Sequence, residues 1–94
     1  MAVYATRVPD VLIEAMVDDG MVGINADSDR CFGLNSTATR IWELVALPSS
    51  AEQICEILCA EFDASREDIL TAVNATLTGL AREGLVRFSD TDGT

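Results

Sequence analysis

Two observations about the order of the chain predict an α+β fold. The first third alternates short apolar, β-rich runs with polar turns, and the remainder carries three apolar stripes at helical spacing, each opened by a capping residue. A third observation bounds the size. Of 94 residues, 49% are hydrophobic, enough for one modest core without disulfide support. The expected architecture is a three-stranded antiparallel sheet followed by a three-helix bundle. It is winged-helix-like, but with the sheet ahead of the helices. Residues 1–94 read as one domain, with its core over 11–88.

Residues 1–9 read as a loose arm or short strand closed by Pro9. Val11 to Val17 is β-rich, and Asp18-Asp19-Gly20 ends it with turn chemistry. Met21 to Asn25 forms a second strand. Ala26 to Asp29 is a polar turn into a third, Arg30 to Leu34. Asn35 or Ser36 caps the first helix, whose apolar face is Ala38, Ile41, Trp42 and Val45, and Pro48 stops it. Ser50 with Gln53 fits a capping box for the second helix, with Ala51, Ile54, Cys55, Leu58 and Phe62 as its stripe. Asp63-Ala64-Ser65 breaks the chain again, and Ser65 caps a third helix carrying Ile69, Val73, Leu77 and Leu80. Gly84 stands where a helix end wants a left-handed residue. Leu85 to Phe88 returns as a short extended segment, and 89–94 is a polar tail expected to fray.

Charge excludes several classes of function. Sixteen acidic residues face six arginines, with no lysine or histidine, for a net charge of −10. Phosphate contacts require cations that displace counterions, so the chain is not expected to bind nucleic acid, nor an anionic membrane surface. No apolar run is long enough to span a bilayer, and the N-terminus lacks a signal-peptide stretch. Three cysteines without framework spacing suit a reducing compartment, and the expected location is cytoplasmic.

Catalytic chemistry finds no carriers. Without histidine there is no histidine-based triad, and most zinc sites are excluded. Cys55 and Cys59 share a helix face and could meet one metal, yet a fourth ligand is lacking even if Cys31 joined them. Both are read as core residues. Cys31 has no basic neighbour in sequence to activate it. Asp27-Ser28-Asp29 and Asp18-Asp19-Gly20 lack the alternating ligands and closing glutamate of a calcium loop, so both are turns. The chain is expected to be no enzyme and to hold no cofactor or metal.

What remains is a surface. The third strand carries no lysine, proline or bulge to blunt an exposed edge, and Gly33 removes a side chain so that another backbone could approach. An open edge would accept a peptide as an added strand. The composition alone leaves this level with two plainer readings, in which residues 1–8 cover the edge or the strand is central.

Several segments carry a resemblance that favours the open edge. Cys31-Phe32-Gly33-Leu34-Asn35, then Ile41-Trp42-Glu43-Leu44, Ile54 to Phe62, and Val73…Leu77…Leu80…Gly84-Leu85-Val86 resemble the PqqD family over about residues 11–88. This is the small peptide chaperone, or RiPP recognition element, of ribosomal peptide-modification pathways. The resemblance implies that the leader of a precursor peptide pairs with the third strand and lies against the third helix. Carried over by position, the strand contributes Arg30, Cys31, Phe32, Gly33 and Leu34, and the helix Ile69, Ala72, Val73, Thr76 and Leu80. Family members often have an acidic residue at the position of Ala72 and a large apolar one at Thr76. Here the implied groove is shallower, or takes a bulkier side chain. Trp42 belongs to the core.

The function implied is non-catalytic capture of a leader peptide and its presentation to a modifying enzyme. That enzyme could be a leader peptidase working with a cyclase, as for lasso peptides, or a radical-SAM maturase. A homodimer through unoccupied edges is left open. Two rivals come from other classes. A winged-helix transcription regulator would need more cations than Arg66 and Arg82 on the third helix. An acidic carrier protein would need a serine opening a helix after an aspartate, which neither Ser28 nor Ser36 supplies.

Overall fold

The computed structural model describes residues 3–9, 12–17 and 20–89, with all their side chains except those of Leu12 and Ile13. In chain order they form β1 (Tyr4–Arg7), β2 (Leu12–Val17), β3 (Gly20–Asn25), β4 (Cys31–Leu34), α1 (Ser36–Leu44), β5 (Ser49–Ser50), α2 (Ala51–Glu61), α3 (Arg66–Arg82) and β6 (Val86–Ser89). The α+β class holds, but the single expected sheet is corrected to two. β2-β3-β4 is the antiparallel meander read from the sequence, and β5-β1-β6 is a second antiparallel sheet that unites the two ends of the chain with the α1–α2 connection. The expected strand start at Val11, the turn residues Asp18 and Asp19, and the tail from Asp90 lie outside the described residues. Ser89, expected in that tail, ends β6.

The helix starts follow from their caps. Asn35 Oδ1 accepts from the Ala38 amide at 2.8 Å, and Ser65 Oγ accepts from the Asp68 amide at 3.2 Å. Ser50 and Gln53 close a full capping box. Each cap satisfies an orphan amide, a contribution of about 1 kcal/mol. Helices of 9, 11 and 17 residues would be marginal or frayed alone, so packing has to hold them. Ile41, Val45, Ile54, Cys55, Leu58 and Val73 are fully shielded from solvent. Burying an Ile, Leu or Val side chain is worth about 1.5–3 kcal/mol, which outweighs any single cap.

Trp42 is buried as expected, and its indole Nε1–H donates to Glu14 on β2, tying α1 to the first sheet. The Arg7 guanidinium lies 4.5 Å from the ring centroid, while Arg7 Nε donates to the Trp42 carbonyl at 2.8 Å. The N-terminal segment, read as an arm or strand, is thus a strand anchored on the second sheet. Among the described residues β1 pairs with β5 and β6 and not with β4.

Candidate functional site

β4 is an edge. Among the described residues it pairs only with β3, in the register Met21↔Leu34, Val22↔Gly33, Gly23↔Phe32 and Ile24↔Cys31. Antiparallel ladders alternate hydrogen-bonded and non-bonded pairs. The Asn25 amide donates to the Arg30 carbonyl at 2.8 Å, so Phe32 and Leu34 face β3 with their main-chain groups. Those of Cys31 and Gly33 point to the free side. Gly33 has open space where a Cβ would stand.

Beside this edge runs a groove of about 500 Å³. Its strand wall is Arg30 to Leu34. Its helix wall is Ala75, Thr76, Gly79, Leu80 and Glu83 on α3, with Ala38 and Leu85 completing it. Small residues on α3 leave the width, and Phe32 and Leu34, half-buried against the core, supply the apolar floor.

Two local devices hold the walls in place. At the C-terminus of α3, Gly84 adopts φ +76°, with the Leu85 amide on the Leu80 carbonyl at 2.9 Å and the Gly84 amide on Ala81 at 3.0 Å. This is a Schellman ending, and it sets Glu83 at the rim. At the β3–β4 turn, buried Asn25 accepts from the amides of Asp27 and Ser28 through Oδ1 and donates from Nδ2 to the Glu83 carbonyl at 3.0 Å. One side chain therefore shapes the turn and pins it to the helix end. Arg30 completes the contact through a 3.3 Å ion pair with Glu83, its guanidinium 5.9 Å from the Phe32 ring.

The structure brings together seven of the ten residues singled out from the sequence: Arg30, Cys31, Phe32, Gly33, Leu34, Thr76 and Leu80. The other three stand elsewhere. Val73 is fully buried in the core. Ile69 and Ala72 line a second hollow, of about 260 Å³, with Phe62 and Asp68. Sequence reasoning missed Ala75, Gly79 and Glu83 on α3, and Ala38 and Leu85 beside it. The signal was there in the helical steps from Thr76 to Gly79 and Glu83, which follow one face.

No metal-binding group of three or more Cys, Asp or Glu residues occurs among the described residues. Cys55 Sγ and Cys59 Sγ are 3.9 Å apart, and burial, reinforced by that contact, pushes the Cys55 thiol up from its ordinary pKa. It is buried in the core, with its Sγ also 3.7 Å from the Arg66 carbonyl. No helix among the described residues is long and apolar enough to cross a membrane.

Comparison with known proteins bears on this geometry. The family model described as Coenzyme PQQ synthesis protein D (PqqD) matches residues 20–86. Two solved structures are similar over nearly their whole length. One is TbiB1 in complex with the TbiA(beta) leader peptide, 27% identical, with a TM-score of 0.75, covering 87% of this chain and 95% of that one. The other is lasso peptide synthetase B1 complexed with the leader peptide, 25% identical, with a TM-score of 0.74, covering 88% and 96%. No curated protein matches the chain.

Proposed function

The chain belongs to the PqqD family, and from that premise we propose that it captures the leader segment of a ribosomally made precursor peptide and presents the attached core to a modifying enzyme. The leader adds as a strand to β4 and seats alternate side chains in the groove against α3. The observation that carries this reading is the free edge of β4 opening onto that groove. Both similar structures are of proteins with a leader peptide bound, which supports leader binding here.

The chemistry required is recognition only. Cys31 and Gly33 offer main-chain bonds worth about 0.5–1.5 kcal/mol each, and any peptide could make them. Each apolar side chain seated in the groove adds about 1.5–3 kcal/mol. The groove, more than the ladder, therefore decides which peptide is retained. The contact residues of this reading are Arg30 to Leu34, Thr76 and Leu80, with Ile69 and Ala72 available to a peptide that runs on into the second hollow. The protein itself is non-catalytic, and its enzyme partner is a leader peptidase with its cyclase, or a maturase. The three helices with the β2–β4 meander make a winged-helix-like frame. α3 opens with Glu67 and Asp68, which suits a peptide better than DNA.

Titration calorimetry with a leader peptide tests the proposal. Phe32→Asp, which places a charge on the groove floor, and Cys31→Pro, which removes an edge donor, should each abolish binding while circular dichroism stays native. Unchanged affinity in both would reject the groove.

A further inference from the structure

The groove carries two charged residues in an otherwise apolar or small lining, and they sit together at the end where β4 begins: Arg30 and Glu83. They are unequal. Arg30 has its side chain 67% exposed and meets Glu83 through a single contact of 3.3 Å, whereas the Glu83 side chain is 22% exposed. A charge-assisted bond of good geometry is shorter, about 2.7–2.9 Å. Arg30 is thus the exposed member of the pair and Glu83 the shielded one.

Glu83 is also incompletely satisfied. Its Oε1 takes Arg30, but Oε2 is closed to solvent and has no hydrogen-bond partner among the described residues. A buried carboxylate oxygen without a donor is costly, and native structures rarely leave one without a reason. The backbone around it is fixed by the Schellman ending and by Asn25 Nδ2 on the Glu83 carbonyl, so the side chain cannot be withdrawn by shifting the helix end. Rotation of the carboxylate toward the groove is the remaining way for that oxygen to meet a donor.

We propose that Glu83 is a specificity-determining residue of the groove: its side chain, 22% exposed at the rim, turns its carboxylate to take a lysine or arginine side chain of the bound peptide. The inference rests on the groove being the peptide site. Three features select a cation over a neutral donor. The acceptor is a carboxylate whose counter-ion is largely exposed and meets it through one 3.3 Å contact. The chain carries a net charge of −10, which draws cationic segments toward it. The groove lining offers no second acid to share the load. Geometry also places the residue. Side chains on one face of a strand recur at every second position. The basic residue therefore lies at an even spacing from the apolar residue seated on Phe32 and Leu34, toward the Arg30 end.

The test is selection from a display library of fully randomised peptides against the wild-type protein and the variants Glu83→Gln, Arg30→Met and Gly33→Pro. Thermal unfolding would show that each variant is folded. The wild type should enrich an apolar residue and a Lys or Arg at even spacing. Glu83→Gln should keep the apolar position and lose the basic one, and should bind the best wild-type peptide on the order of tenfold more weakly, about 1.4 kcal/mol. Arg30→Met, which frees the whole carboxylate, should keep or strengthen the basic preference. Apolar enrichment without a basic residue, enrichment of acids, or an unchanged basic preference in Glu83→Gln would overturn the role of Glu83 while leaving the groove standing. A wild type that enriches nothing beyond Gly33→Pro would overturn both.

Discussion

Gly20 lies directly beneath the carbonyl of Leu34: a Cβ built on it would stand 2.5 Å from the Leu34 oxygen and 3.6 Å from its carbonyl carbon. The obstacle is backbone, so no side-chain rotation relieves it. The first residue of β3 is therefore what allows β4 to end where it does, with Asn35 ready to cap α1. Gly20→Ala should cost about 1–3 kcal/mol as an overpacking change, read as a lowered midpoint of thermal unfolding. It should also displace the end of β4 and weaken peptide binding. Gly33→Ala, with open space at its Cβ, should leave stability nearly unchanged.

The ion pair between α1 and the end of α2 predicts a pH dependence. Arg40 Nε and Nη2 donate to the two oxygens of Glu61 at 2.9 and 2.8 Å, and this holds the Glu61 carboxyl below its ordinary pKa. A depressed folded-state pKa contributes stability above the unfolded-state value, and that contribution is lost as pH falls through the folded value. Glu61→Gln should thus be less stable than wild type at neutral pH. The difference should be small, because the pair is exposed. Titrated downward, the two unfolding curves should converge below the usual carboxylate range. A gap that persists in acid would mean that the effect is not the ion pair.

Much of this fold is legible in the sequence where the signal is local. Asn35, Ser50 with Gln53, Ser65 and Gly84 announce their helix ends, because each cap is satisfied within a few residues. The stripe Ile54, Cys55, Leu58 announces a buried face because helical spacing repeats it. The second sheet has no such signal. β5 is two serines, β1 buries Ala5 alone among its four residues, and β6 buries only Val86. Their pairing joins Tyr4 to both Ser50 and Ser89, and no local periodicity encodes contacts that distant.

The groove was legible along β4, where five consecutive residues form a wall. On α3 the sequence marks it less clearly, because a helix packed on two sides offers several faces at similar spacing. Val73 went to the core, Ile69 and Ala72 to the neighbouring hollow, and Gly79 and Glu83 to the groove. In the sequence Glu83 is one among sixteen acidic residues. Its setting depends on Asn25 and Arg30, which only the folded chain brings near.

The three thiols should react in a fixed order. Cys31 is exposed on the edge strand, Cys59 is half-buried, and Cys55 is fully shielded with its pKa raised by burial. Thiolate is the reactive form, so iodoacetamide at neutral pH should label Cys31 first and Cys55 only on unfolding, as peptide mass mapping would show. A bound leader peptide should slow the labelling of Cys31 and leave Cys59 unaffected. Equal protection of both would point to a site elsewhere.

Residue-resolved amide exchange tests strand addition most directly. In the free protein the amides of Phe32 and Leu34, turned toward β3, should exchange slowly, and those of Cys31 and Gly33, turned outward, should exchange fast. Saturation with a leader peptide should slow Cys31 and Gly33 selectively. If those two amides stay as fast in the complex as in the free protein, the peptide does not extend the sheet at β4.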